Sequence, residues 1–189
     1  MGDARLMATI LDGQAMERAV TRIAHEVVER NEGAQGIKGI GIIRRGETLA
    51  ERLATEIEKI EGIRPQMGSL DISFYRDDVI RRIQPVLHAT NIPFDLDGAR
   101  IVLVDDVLYT GRTVRSALNA LMDYGRPKSV QLAVMVDRGH RELPIRADYV
   151  GKNVPSSHEE DVRVCLTPLD DHDAVEIWDL GNNKTGGAE

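Results

Sequence analysis

Residues 100–117 read RIVLVDDVLYTGRTVRSA. The apolar run 101–104 has the pattern of a fully covered strand, and it leads straight into Asp105 and Asp106. Val107, Leu108 and Tyr109 follow, then Thr110, Gly111, Arg112 and Thr113. Val114, Leu118 and Leu121 then recur at helical spacing, and the helix runs out near Gly125 and Pro127. A second apolar run, 130–136, is the next strand. Strand, helix and strand in this order predict a parallel unit with a right-handed crossover.

The same alternation holds on the N-terminal side. Asp12 stands as an N-cap ahead of Met16, Val20, Ile23 and Val27, which share one helix face. GIKGIGII at 36–43 reads as a short buried strand. Leu49, Leu53, Ile57 and Ile60 line a second helix, stopped near Gly62 and Pro65. Leu70, Ile72 and Phe74 alternate with Asp71 and Ser73 as a strand would. Between 76 and 99 no periodicity holds, and Pro85 and Pro93 interrupt the segment, as in a lid loop. The runs 162–166 and 175–178 are further strands, and the polar tail 181–189 (GNNKTGGAE) is expected to be disordered. The expected fold is α/β: an open, mostly parallel sheet flanked by helices, with an elaborated C-terminal part. Ligands of such sheets sit at the carboxyl ends of the strands.

The chemistry of that end is legible in the same stretch. A glycine-containing turn that opens a helix presents backbone N–H groups and the positive end of the helix dipole. Thr110 and Thr113 add hydroxyls and Arg112 a cation, which makes a phosphate cradle. Neither GxxxxGK[ST] nor GxGxxG is present. Two bare carboxylates beside a phosphate repel it by roughly 1 kcal/mol or more at contact distance. They fit a ligand whose phosphate lies several ångströms from vicinal hydroxyls, a ribose 5-phosphate, or they face a divalent cation. Two blander readings compete. The acids could merely cap the loop, although buried strand acids are costly unless satisfied. Alternatively, the run could open a phospho-receiver domain with Asp137 as acceptor, which the Thr-Gly-Arg-Thr turn and the long segment before it disfavour.

Composition narrows the classes. The chain has 189 residues, 42% of them hydrophobic, enough for a single domain with its own core. Its only cysteine is Cys165, so an intramolecular disulfide and a multi-thiolate zinc site are excluded, and no His, Cys and Asp spacing indicates a metal site. The 24 basic and 31 acidic residues leave a net charge of −7, which speaks against general coating of nucleic acid and leaves room for a local basic face. No apolar run is long enough for a bilayer, and the start, MGDARLMATILDGQ, lacks the basic end and apolar stretch of a signal peptide. A cytoplasmic protein with no membrane contact is expected.

Residues 102–113 (VLVDDVLYTGRT) resemble the phosphoribosyl-pyrophosphate motif of type I phosphoribosyltransferases. Tyr109, SFYRDD at 73–78, Gly125-Arg126-Pro127 and VDRGHRELPIRADYVGKN at 136–153 are more specific. With them the chain resembles, from about residue 10 to 178, the bifunctional pyr operon regulators, attenuator proteins that are also uracil phosphoribosyltransferases. The resemblance implies a type I phosphoribosyltransferase-like domain over 1–180, with a flexible lid at about 76–99 and a small hood mainly from about 137–178. It implies conversion of uracil and phosphoribosyl pyrophosphate to UMP and pyrophosphate, with Mg2+ held mainly by the substrate and no dedicated protein metal site. UMP and UTP as ligands, pyrimidine-operon leader RNA as partner, and a homo-oligomer are also implied.

The family's roles fall on matching positions. Asp105 and Asp106 would hold the ribose hydroxyls, and with Arg45 they form the implied catalytic set. Val107, Leu108, Tyr109, Thr110, Gly111, Arg112 and Thr113 would surround the 5-phosphate. Arg44, Arg45 and Gly46 would lie in the pyrophosphate loop. Tyr75 would begin the lid, with Arg81 and Arg82 as anion contacts. Asp137, Arg138 and Val162 would lie by the uracil. One departure is visible: relatives carry Lys-Thr-Arg-Gly where this chain has Ile43-Arg44-Arg45-Gly46.

The first helix offers a second function. Arg18, Arg22 and His25 share one face, with Thr21 alongside and Arg30 beyond, among Glu17, Glu26 and Glu29. By its residues alone this is a mixed-charge solvated face. The resemblance makes Thr21, Arg22, His25 and Arg30 contacts for the leader RNA, with Arg141, Arg146 and Lys152 in addition. The expected target is a hairpin loop with splayed bases, because A-form duplex hides its sequence. A phosphoribosyltransferase for uracil or another base with no RNA role is the alternative, since 102–113 does not distinguish bases.

Overall fold

A computed structural model of the chain describes residues 4–75, 89–157 and 159–180. Arg81, Arg82, most of the expected lid and the tail 181–189 lie outside the described residues. In chain order the elements are β1 (Arg5–Asp12), α1 (Gly13–Arg30), β2 (Ile37–Ile42), α2 (Arg45–Glu61), β3 (Gln66–Leu70) and β4 (Arg100–Leu108). They continue with α3 (Arg112–Tyr124), β5 (Ser129–Asp137), β6 (Tyr149–Asn153), β7 (Glu160–Cys165) and β8 (Ala174–Asp179). A five-stranded parallel sheet runs β3-β2-β4-β5-β6. A three-stranded antiparallel sheet, β1-β8-β7, forms the hood.

The apolar alternation on β4 explains the layers. Ile101 and Leu103 pack with Ile40, Leu132 and Val134 against Val114, Ala117 and Leu121 of α3. Val102 and Val104 pack with Ala133 and Met135 against Met16, Val20 and Ile23 of α1 and Leu49 and Leu53 of α2. Burial of each large aliphatic side chain contributes about 1.5–3 kcal/mol. The helix ends follow their local chemistry. The Ala15 N–H donates to Asp12 Oδ1 at 2.7 Å, and Gly62 closes α2 in the left-handed region, its N–H donating to Glu58 O at 2.8 Å. Among the described residues, no helix is long and apolar enough to cross a membrane.

Four expectations are corrected. The strand expected at 101–104 continues to Leu108, because Asp105, Val107 and Leu108 pair with Val134, Val136 and Asp137. The strand expected around 70–74 instead occupies Gln66–Leu70, in parallel register with Lys38–Ile42. It stops where the Asp71 carboxylate takes the Ser73 N–H at 2.8 Å, and Phe74 is 79% exposed. The hood takes a strand from the N-terminus, β1, while β6 extends the main sheet. The segment assigned to the lid is pinned from Asn91 onward. Asn91 and Ser69 exchange backbone hydrogen bonds of 2.8 and 2.9 Å, and Leu96 is buried.

The hood is tied to α2 by a charged clasp. Arg52 donates to Asp173 Oδ1 at 3.0 Å and to Thr167 O at 2.9 Å. The Arg52 guanidinium, opposed by burial and helped by the Thr167 N–H and hydroxyl, holds the Asp173 carboxyl at about 2. A folded-state value below the ordinary carboxylate range stabilises the fold above that range, and the benefit is lost as pH falls from about 4 towards 2. Asp173→Asn should therefore cost about 1–2 kcal/mol at pH 7. Urea titrations should show the gap to wild type closing below pH 4; a gap that does not change with pH would contradict the ion pair.

Candidate active site

β3 lies on one side of β2, while β5 lies beyond β4 on the other. The chain thus changes direction across the sheet at β2 and β4, and a crevice opens at the carboxyl ends of these two strands. α2 starts from one strand end and α3 from the other, so their N-termini face the same edge. Neither start is capped by its own N-cap side chain: the residues there are Arg44 and Gly111. α1, by contrast, has Asp12. The first N–H groups of α2 and α3 are therefore suited to anions. No acid lies in the first turn of α3, and Gly111 turns at φ 93°, a conformation that favours glycine. Gly46 permits a close approach of α2 to β4: a Cβ there would stand 2.4 Å from Val104 O and 3.2 Å from Asp105 Cα.

The acid pair sits between these two helix starts. Asp105 is buried and accepts the Asp106 N–H at 3.0 Å, while Asp106 Oδ1 accepts the Val107 N–H at 2.8 Å. Burial pushes the Asp106 carboxyl above the ordinary range, opposed by the Val107 N–H and the charge of Arg45. Asp106 and Arg45 share a cavity of about 660 Å3 whose far wall is the hood, including Val162, Asp170 and Trp178. Arg45 Nη2 donates to both Asp170 oxygens, at 2.9 and 3.1 Å. Its Nε is buried with no hydrogen-bond partner among the described residues, an orphan that an anionic ligand would satisfy. Arg44 lines a neighbouring cleft with Glu47, Thr48 and Ser69.

The loop after β4 is held from behind. The N–H groups of Glu142 and Leu143 both donate to Thr110 O, and Arg112 pairs with Glu142 at 2.7 Å. The Arg138 guanidinium lies 4.2 Å from the Tyr109 ring centre and donates to Ser156, Ser157 and Glu160. Arg141 donates to Tyr109 O at 2.7 Å and pairs with Asp137. Two expectations change accordingly. Arg138 and Asp137 have their side-chain charges engaged by the protein, so any base contact there falls to the backbone. Arg141, expected on the RNA face, is turned instead onto the loop after β4 and Asp137.

Of the other expected RNA residues on α1, Arg22 and Arg30 reach β6 and the residue before it. Arg22 donates to Val150 O at 3.0 Å and Gly151 O at 2.7 Å, and pairs with Glu26 at 2.7 Å. Arg30 pairs with Asp148 at 2.7 Å and stands over the Tyr149 ring. α1 therefore runs along the segment that carries Arg146 and Lys152, both exposed, as is His25. Thr21 turns towards α2, its hydroxyl 3.0 Å from Glu56 Oε2. The hood residues Cys165, Asp170, His172 and Glu176 were not singled out for the site from the sequence. Their strands had a local signal, but nothing local shows that the hood faces Asp106.

Residues 7–170 match the phosphoribosyl transferase domain family. The bifunctional protein PyrR of Deinococcus deserti is 57% identical over 178 residues, covering 94% of this chain and 97% of that protein. The protein of the same name from Roseiflexus sp. is 59% identical over 162 residues, covering 85% and 88%. Among solved structures, a hypoxanthine phosphoribosyltransferase from Trypanosoma cruzi is similar with a TM-score of 0.72 and 17% identity, over 91% of this chain and 95% of that one. A hypoxanthine-guanine phosphoribosyltransferase from Bacillus anthracis gives 0.66 and 15%, over 93% and 99%. At such identities the structural likeness shows the fold.

Proposed function

The chain belongs to the phosphoribosyl transferase domain family and, within it, to the bifunctional PyrR proteins; on that footing we propose that it is a uracil phosphoribosyltransferase that also binds pyrimidine-operon leader RNA. The observation that carries the enzymatic half is the acid pair on β4 lying between the starts of α2 and α3, neither of which is capped by its own N-cap side chain. Phosphoribosyl pyrophosphate has the matching order of groups: a phosphate, vicinal hydroxyls and a diphosphate.

In the reaction, uracil N1 bonds to the anomeric carbon as the bond to pyrophosphate breaks, and the N1 proton passes to solvent. Asp105 and Asp106 accept hydrogen bonds from the ribose hydroxyls and favour the positive charge that develops on the ring. The start of α3, with Thr110 and Thr113, takes the 5-phosphate. Arg45 and the start of α2 take the leaving pyrophosphate, Arg45 through the Nε that has no partner among the described residues. Arg44 adds charge from the neighbouring cleft. Val162 and the backbone of 137–138 border the base. No side-chain nucleophile is required. The Asp106 carboxylate is a hard oxygen donor in the cavity and suits Mg2+ carried by the substrate, which supplies charge neutralisation on the diphosphate.

Purified protein with Mg2+ should convert labelled uracil to UMP, with no comparable turnover of adenine, guanine or hypoxanthine. Equal turnover of a purine would remove the uracil assignment.

The regulatory half places the leader RNA on the α1–β6 face, with UMP or UTP in the active site favouring the RNA-binding state. Linkage then requires RNA to tighten nucleotide binding equally. The protein acts in the cytoplasm as a homo-oligomer. A second reading, an enzyme without an RNA role, draws on Arg22 and Arg30 already being engaged within the protein.

A further inference from the structure

The hood carries a cluster that the proposed reaction does not use. The β7–β8 register pairs Cys165 with Ala174 and Arg163 with Glu176, so Cys165 and Glu176 lie on one face of the hairpin. His172, in the connection between the two strands, comes to the same place. Its Nε2 is 3.0 Å from Glu176 Oε1, and Cys165 Sγ is 3.9 Å from Glu176 Oε2. The three ligand atoms all lie within 4.8 Å of one another. Tetrahedral zinc, with bonds of about 2.0–2.3 Å, separates its ligand atoms by about 3.3–3.8 Å, so the cluster needs only small shifts to close on a cation.

We infer that Cys165, His172 and Glu176 form a binding site for a zinc-class divalent cation on the hood wall of the active-site cavity. The donor set is one sulfur, one imidazole nitrogen and one carboxylate oxygen. It suits a borderline-soft ion and is unsuited to Mg2+. Glu176 is only 6% exposed, and the Trp178 N–H donates to its Oε2 at 2.8 Å, so the carboxylate is oriented from behind as metal-bound carboxylates usually are. His172 is exposed, so its ring can adjust towards an arriving ion. All three residues line the cavity that holds Asp106 and Arg45, which leaves the fourth position open to that space. The linear spacing of Cys165, His172 and Glu176 carries no motif; the hairpin register brings them together. If the phosphoribosyltransferase reading holds, an occupied site obstructs the cavity and zinc inhibits turnover.

Cobalt is the direct probe. Cys165 is the only cysteine in the chain, so a thiolate-to-cobalt charge-transfer band can arise nowhere else. Reduced full-length protein titrated with Co2+ should develop that band, with visible bands of a tetrahedral ion, saturating at one equivalent and displaced by Zn2+. Cys165→Ser should abolish the charge-transfer band. His172→Asn, a change at an exposed residue, should weaken binding at least tenfold with an unchanged melting temperature. Absence of the band in wild type, or an unchanged titration in His172→Asn, would overturn the site. The spectrum does not depend on turnover, so failure of the uracil assay and failure of the metal site are separate results.

Discussion

Asp106→Asn should lower kcat/KM for UMP formation by roughly tenfold to a hundredfold, and Asp105→Asn by a similar factor. Hydrogen bonds from neutral donors to a charged acceptor are worth about 1.5–3 kcal/mol, and each 1.4 kcal/mol is a factor of about ten. Asparagine keeps the size of the side chain and an oxygen for the Val107 N–H that Asp106 holds at 2.8 Å. The fold therefore loses little, and the melting temperature should hardly move. The pH profile adds a second check. Burial raises the Asp106 carboxyl, so its charge is lost on acidification at a higher pH than for an exposed aspartate. Wild-type kcat/KM should fall on the acid side above the usual carboxylate range, and Asp106→Asn should lack that limb. Unfolding of both variants would return the acids to a capping role; full activity in both would remove them from the site.

Arg146→Glu combined with Lys152→Glu should weaken leader-RNA binding by roughly tenfold or more while uracil turnover stays near wild type. Both residues are exposed and lie on or beside β6 rather than at the carboxyl ends of β2 and β4. Arg22 and Arg30 are poorer targets, because their guanidinium groups bind Val150 O, Gly151 O and Asp148 and help dock α1. With a net charge of −7, binding depends on a local patch and should be specific and moderately salt-dependent. UMP should tighten it. Gel-shift titration decides the matter: equal binding of a pyrimidine-operon leader hairpin and a scrambled hairpin, or undiminished binding by the double variant, leaves an enzyme without an RNA role.

Local chemistry alone determined much of this protein. α1, α2 and α3 are set by apolar residues at helical spacing, with Asp12 at one start and Gly62 and Gly125 at two ends, and each signal lies within the element it describes. The 101–104 run leading to Asp105 and Asp106 likewise identified the central strand and the acids, because a covered strand needs an unbroken apolar run. Other features required the folded chain. β1 is exposed over most of its length and has no apolar alternation; it is a strand because Ala174–Asp179, far away in sequence, supplies its hydrogen-bond partners. β6, YVGKN, is a strand because β5 offers a parallel edge. Charge assignments depend on tertiary structure in the same way. The resemblance implies a uracil contact for Arg138 and an RNA contact for Arg141, yet packing turns them onto Tyr109, Ser157 and Asp137, where burial requires each donor to find a partner. Arg45 meets Asp170, and Cys165 meets Glu176, only because the hood closes over the ends of β2 and β4 and its hairpin register selects which side chains share a face.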